Sequence, residues 1–325
     1  MKIKIERIPF PFRFAFTITG YTFTVADTVR VTLCDGVFQG RGEGVGVYYT
    51  DDMPDGMTAQ LANIADKIGP KTTRADIQDF LPAGGARNAL DCAMWDLEAK
   101  RAGKSIWGLL GVTPHILTSV ATLGIDGPKE MAAAAVGLAK YPNLKVKLSG
   151  DDPVTRLAAV RAARPEAKLI IDVNQGWSFD ELKEYAPVMK KLGVAMIEQP
   201  LPRGADEDLE DYISDVPLGA DESCLSLAEY ETAARRYDVI NIKLDKCGGL
   251  TEGLELVKLA KRDGKGLMVG NMSGSSLSMA PAYVLGQYCQ FVDIDGPVFL
   301  TKDIDNALEY GDGGVVGLPT KDLWG

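Results

Sequence analysis

From about residue 116 onward, short β-rich runs alternate with segments of helical composition, and eight such runs follow one another. They fall at 118–123, 144–148, 169–173, 195–197, 218–220, 239–244, 266–269 and 291–294. Helical patterns lie between them, for example at 131–139, 154–163, 182–192, 227–235 and 251–261. A strand followed by a helix returns the chain to lay down a parallel neighbour. Repeated eight times, this predicts an α/β fold with a (β/α)8-type barrel. A doubly wound sheet is the alternative, but no GxGxxG follows a first strand.

The first hundred residues read differently. Ile3 and Ile5 alternate with Lys2, Lys4 and Glu6, as in a half-buried strand. Residues 27–34 and 37–47 flank Asp35-Gly36, a hairpin signal. Helical patterns follow at 56–68 and 86–101, the second with Leu90, Ala93, Met94 and Leu97 at helical spacing. Strands first and helices afterwards predict a small α+β domain over 1–113. The barrel then spans 114–302, and the tail 303–325 packs back on the N-terminal part.

Charge and composition exclude several functions. The chain carries 45 acidic and 35 basic residues, a net −10, which argues against a nucleic-acid or anionic-membrane surface. Cysteines at 34, 92, 224, 247 and 289 show no CxxC spacing, so neither a disulfide framework nor a zinc site is expected. With no apolar signal core and no apolar run of about 20 residues, the reading is a cytoplasmic protein. The sole histidine, His115, follows Pro114 in a turn and reads as a loop residue. Ser-His-Asp and Cys-His chemistry are thereby excluded, and acid–base work falls to Lys, Asp and Glu.

Placing the charges on the strands is the informative step. Lys145 and Lys147 alternate in an apolar strand and share a face; an edge strand with a solvated face is the competing reading. Asp172, Glu198 and Asp221 each follow an apolar run, ending the third, fourth and fifth strands. That end of a barrel carries active sites. One such acid could be a helix N-cap, but three in succession would converge and repel unless a cation sat among them. All-oxygen ligands suit Mg²⁺, with Mn²⁺ as a substitute. Lys243, on the sixth strand, would face Lys147 across the ring.

Two opposed lysines beside a metal suit proton removal next to a carboxylate. A substrate carboxylate on the metal would stabilise the enediolate, and the lysines would work from opposite faces. Neighbouring positive charge is expected to lower a lysine pKa and free a neutral base. Asp293 and Asp295, alternating on the eighth strand, would hold a substrate ammonium; a strand-end pair bonded to backbone is the competing reading.

These residues resemble the enolase superfamily, muconate-lactonising-enzyme subgroup, and within it the dipeptide epimerases typified by L-Ala-D/L-Glu epimerase. The likeness covers nearly the whole chain. The stretch 81–97 resembles the family's signature helix, and Lys145-Val-Lys147 its KxK motif. Asp172-Val-Asn174, Glu198-Gln-Pro200 and Asp221-Glu-Ser223 are similar to its metal-ligand motifs. The segment 241–252 resembles its lysine strand, and Asp293-Ile-Asp295 its DxD. The resemblance implies Lys147 and Lys243 as acid/base catalysts, and Asp172, Glu198 and Asp221 as Mg²⁺ ligands. It implies Lys145 against the substrate carboxylate, Asp293 and Asp295 on the ammonium, and Thr122 in contact with substrate. Glu222 would act at a distance at most. The N-terminal domain would cap the barrel, with loops near 15–24 and 48–55 closing over a small dipeptide. Partners would be that substrate and further copies of the chain.

One departure bears on specificity. Alanyl-glutamate members carry an arginine in the first lid loop, for the substrate's side-chain carboxylate. Here the stretch reads Phe16-Thr-Ile-Thr-Gly-Tyr-Thr-Phe-Thr24, with Phe23 in that place and no basic residue between Arg13 and Arg30. An unpaired, desolvated carboxylate is costly, so an apolar or neutral second residue is expected to compete with glutamate. Aromatics in this lid also read as packing of the cap on the barrel. N-acylamino-acid racemase, o-succinylbenzoate synthase and muconate cycloisomerase activities share the lysines and metal, but their substrates lack the ammonium that a DxD would bind. A non-catalytic binding barrel would be marked by a missing lysine or ligand, and none is missing. Residues 270–276 could be mistaken for a phosphate loop but read as pocket lining.

Overall fold

The structure is a computed structural model that describes residues 1–18 and 21–325. Three strands open the chain: β1 (Lys2–Ile18), β2 (Tyr21–Cys34) and β3 (Gln39–Gly44), an antiparallel sheet in that order. Asp35 makes the turn between β2 and β3, its Oδ1 accepting from the amides of Val37 and Phe38. Against this sheet lies the helix Gly85–Ala102, capped at its C-terminal end by Gly103 in the left-handed conformation. On β3, a Cβ at Gly40, Gly42 or Gly44 would fall 2.2 Å from a carbonyl of that helix. Glycine at alternate positions lets helix and strand backbones touch. Helices Pro54–Ile64 and Arg74–Phe80 complete the layer; the second was not evident from periodicity because it is short.

The expected first barrel run, 118–123, divides. β4 (Leu117–Thr118) pairs with the tail strand Val315–Val316, and only β5 (Ala121–Leu123) enters the barrel. There follow β6 (Asn143–Lys147), β7 (Lys168–Asp172), β8 (Val194–Glu198), β9 (Leu218–Ala220), β10 (Val239–Ile242), β11 (Gly266–Val269) and β12 (Phe291–Val292). All eight pair in parallel and in sequence order. The Val120 amide donates to the Val292 carbonyl at 2.9 Å, linking the two ends of the sheet. The run 239–244 ends early, since Leu244 begins a short helix, Leu244–Cys247. Between β8 and β9 the crossover holds only a 3₁₀ turn, Glu207–Leu209, in place of a helix.

Side chains alternate across each strand. The outward set joins the main core, while Val120, Ile170, Met196, Val239, Met268 and Phe291 form an apolar floor inside the barrel. Two residues further toward the C-terminal ends, the same positions carry Thr122, Asp172, Glu198, Asn241, Gly270 and Asp293. At the tail, Trp324 Nε1 donates to the Cys92 carbonyl (2.9 Å) and the Gly325 amide to Asp96 (2.8 Å). Among the described residues no helix is long and apolar enough to cross a membrane.

Candidate active site

Strand register sets the site. Thr122 stands beside Lys145, Lys147 beside Asp172, and Asp172 beside Glu198. Lys145, Asp172, Glu198 and Asp221 are at most 2% exposed, and Lys147, Lys243, Asp293 and Asp295 at most 8%. Lys145 Nζ lies 2.9 Å from Asp293 and Glu198 and 3.1 Å from Asp172. Lys147 Nζ donates to Asp172 Oδ2 at 2.6 Å and to Asn174 Oδ1 at 3.0 Å. Lys243 Nζ donates to Asp221 Oδ2 at 2.7 Å. Ammonium and carboxylate groups therefore interleave. Asp172, Glu198 and Asp221 lie close enough to act on one another's ionisation, with lysines set between them. Buried carboxylates repel, and the lysines between them relieve that repulsion.

The charges respond to these partners. Burial and then Asp172 push Glu198 up to about 7. Burial, followed by Asp221, pushes Glu222 up to about 8. Burial works against ionisation of Asp172 and Asp221, but the adjacent lysines overcome it and hold both below the usual carboxylate range. Burial disfavours the charged forms of Lys145 and Lys243 as well, yet carboxylates, Glu198 foremost for Lys145 and Asp221 for Lys243, raise both. Of the positive charge expected to lower a lysine pKa, Lys145 does lower Lys243, but Asp221 outweighs it.

The side chains divide between two cavities. Lys147, Lys243, Asn174, Asp221 and Glu222 line one of about 240 Å³, walled by Phe12, Tyr21, Phe23, Tyr48 and Ser273. Tyr21, Phe23 and Tyr48 cluster in tilted and edge-on contacts with centroids 4.5, 4.9 and 5.3 Å apart, so these aromatics both pack together and face the cavity. Arginine is absent from this lining, and Thr19 and Gly20 of the first lid stretch lie outside the described residues. Thr122 and Asp295 line a second cavity of about 140 Å³ with Phe14, Phe299 and Tyr310. Thr122 Oγ1 donates to Asp295 Oδ2 at 2.9 Å. Burial and the adjacent Asp293 push Asp295 up to about 8. His115 is exposed in a loop, its amide bonded to Gln287. In the segment 270–276, Asn271 and Ser273 line the larger cavity, and Asn271 Nδ2 bonds Asp293.

Sequence reading overlooks four side chains or gaps here. Lys246 Nζ, 2.7 Å from Asp221 Oδ1, occupies the oxygen that Lys243 leaves free. Its place on a helical turn hides it from strand parity. Asn241 Nδ2 donates to Glu198 Oε1 at 2.8 Å; it shares the face of Lys243 two residues on, so alternation could have found it. Asn174, two residues past Asp172, was legible the same way. At Gly270 a Cβ would fall 2.9 Å from Lys243 Cε, so this glycine keeps room for the lysine stem.

The donor set suits a hard divalent cation. Asp172, Glu198, Asp221 and Glu222 offer only oxygens, and Glu222 Oε2 is buried without a hydrogen-bond partner. Lys145 lies 2.9 Å from Glu198 Oε2 without hydrogen-bond geometry.

The barrel, its antiparallel N-terminal sheet and this ring of lysines and acids define one class of protein. Residues 2–111 match the mandelate racemase / muconate lactonizing enzyme N-terminal domain and residues 129–319 the enolase C-terminal domain-like family; the chain belongs to that family. Among relatives, it is 40% identical to an N-acetyl-D-glutamate racemase of Pseudoalteromonas sp, over 91% of this chain and 95% of that one. It is 37% identical to the L-Ala-D/L-Glu epimerase of Escherichia coli, over 96% and 98%. A solved enolase family member from Agrobacterium tumefaciens, with homology to dipeptide epimerases and bound to sodium and L-Ala-L-Glu, superposes with a TM-score of 0.95 at 42% identity, covering 99% of each chain.

Proposed function

We propose that this chain epimerises dipeptides by moving the α-proton of the C-terminal residue between Lys147 and Lys243. The observation that carries this is that both lysines, four strands apart in the ring, open onto one cavity. A substrate α-carbon between them meets one amine on each face. The neutral lysine takes the α-proton: the C–H bond breaks, an N–H bond forms, and the electron pair moves into the enediolate. The opposite lysine, as ammonium, returns a proton to the other face. Lys145 meets the substrate carboxylate from below. Asp293, Asp295 and Thr122 receive the ammonium terminus, and residues 1–113 cap the barrel 114–302.

Asp172, Glu198 and Asp221 would hold Mg²⁺, with Mn²⁺ as a substitute. Bound there, the metal would offset these carboxylates, release the lysines from their counter-ions and place positive charge against the substrate carboxylate. With Phe23 and no arginine in the lining, the cavity suits an apolar or neutral second residue beside glutamate.

A second reading is racemisation of N-acetylated amino acids. The 40% identical N-acetyl-D-glutamate racemase favours it. So does Asp295: with its carboxyl up at about 8, it holds a proton at neutral pH and can donate to an acyl oxygen. One experiment separates the readings. Deuterium incorporation in D₂O is followed by mass spectrometry over L-Ala-L-Xaa dipeptides and N-acetyl amino acids, with Mg²⁺ and with EDTA. Mg²⁺-dependent α-exchange of dipeptides is expected. Exchange of N-acetyl amino acids alone would replace the first reading by the second, and exchange of neither would remove both.

A further inference from the structure

The two lysines differ in what holds them, and the difference involves Asn174 and Glu222. Lys147 has a charged partner, Asp172, and a neutral one, the Asn174 carbonyl at 3.0 Å. Asn174 is itself held on both sides. Its backbone amide donates to Asp172 Oδ1 at 3.0 Å, and its Nδ2 donates to Glu222 Oε1 at 3.4 Å. Its φ is +46°, in the left-handed region that asparagine tolerates better than most residues. Glu222, 2% exposed, follows Asp221 at the end of β9, two strands round the ring from the end of β7 where Asn174 lies. Asn174 and Glu222 both line the cavity between the lysines.

We infer that Asn174 and Glu222 are positioning residues for Lys147. Glu222 fixes the carboxamide so that Nδ2 faces the acid and Oδ1 faces the lysine. That orientation matters, because a carboxamide turned over would present N–H to an ammonium. A neutral acceptor also serves both halves of a proton transfer. Lysine carries N–H groups as ammonium and as amine, so the Asn174 carbonyl can hold it in either state. Asn174 thus keeps Lys147 aimed over the cavity after it has given up its proton. Among the described residues Lys243 shows no such partner: its hydrogen bond is to Asp221.

The inference rests on the reading of Lys147 and Lys243 as the two acid–base groups, and its test can fail separately. The two epimers of a dipeptide that the wild type turns over are incubated in D₂O, and α-exchange and inversion are measured for each. Asn174→Gly removes the carboxamide while tolerating the positive φ. Glu222→Leu removes the acceptor that orients it, and Glu222→Gln restores an oxygen for Asn174. Asn174→Gly and Glu222→Leu should lower exchange of the epimer whose α-proton faces Lys147 about tenfold more than exchange of the other. For that other epimer, exchange without inversion should rise relative to inversion. Glu222→Gln should recover much of the exchange lost at the Lys147 face and so reduce the asymmetry. Equal loss for both epimers in all three variants would overturn the inference. Wild-type exchange confined to one epimer would instead overturn the two-lysine reading beneath it.

Discussion

Lys147 and Lys243 reach one cavity from strands four apart in the ring, yet their surroundings are built differently. Lys147 is held by neighbours on its own side of the ring, Asp172 and Asn174. Lys243 is held by Asp221 and by what lies behind it. Directly after it, Asp245 accepts from the Val45 and Gly46 amides and from Asn88, all in the N-terminal part. Arg87 then pairs with Glu252 and donates to the carbonyl of Cys247 at 2.8 Å, and Asp91 accepts from the Thr251 amide at 2.9 Å. One lysine is therefore a property of the barrel, and the other a property of the seam between barrel and cap. Similar chemistry on two walls does not require similar support.

The largest test removes each amine in turn. Lys147→Ala and Lys243→Ala should each lower epimerisation about a thousandfold. Each should retain some exchange of the epimer that faces the surviving lysine, read by mass spectrometry in D₂O. Full epimerisation in either variant would end the comparison. A smaller, one-sided effect is expected of Gly270→Ala. Its Cβ would fall 2.7 Å from Asn241 Oδ1 and 2.9 Å from Lys243 Cε, with no equivalent crowding of Lys147. Displacing a catalytic group by up to an ångström costs about a hundredfold, so exchange at the Lys243 face should fall by that order and exchange at the Lys147 face much less.

The smallest effect concerns the seam. Burial pushes Asp245 from 3.8 up to about 6. The folded protein therefore binds a proton there that the unfolded chain has already lost between pH 4 and 6. This contribution is present below pH 4 and disappears as pH rises through 6. Asp245→Asn cannot lose it. Unfolding free energies of the two proteins from urea titration should diverge in favour of the variant across that window, by at most about 3 kcal/mol. A constant difference from pH 4 to 7 would show that Asp245 stays ionised and that its three donors outweigh burial.

The barrel is legible in the sequence because each strand is a short apolar run and most are separated by a helix of returning length. Where that rhythm fails, the sequence misleads. The run 118–123 is continuous in composition, yet Ser119 bonds the Gly314 carbonyl and the chain changes partners there. No local pattern carries that information, since the partner lies almost 200 residues away. Parity alone places Lys145, Lys147, Asp293 and Asp295 inward, because alternation is a property of any strand. It says nothing of who pairs with whom. The interleaving of ammonium and carboxylate, the raised Lys243 and the separation of Asp295 from the larger cavity all depend on distances across the ring. Lys246 and Gly270 show the same limit: one acts from a helix, the other by having no side chain.

The apolar floor of Val120, Ile170, Met196, Val239, Met268 and Phe291 closes the barrel beneath the lysines. Hydrogen that a lysine takes from a substrate can trade with water through the cavity walled by Tyr21, Phe23 and Tyr48. Each turnover is then a race between return of the same hydrogen to carbon and its loss to solvent. The fraction of isotope washed out per inversion measures how long the mouth stands open, so the label acts as a clock for the lid.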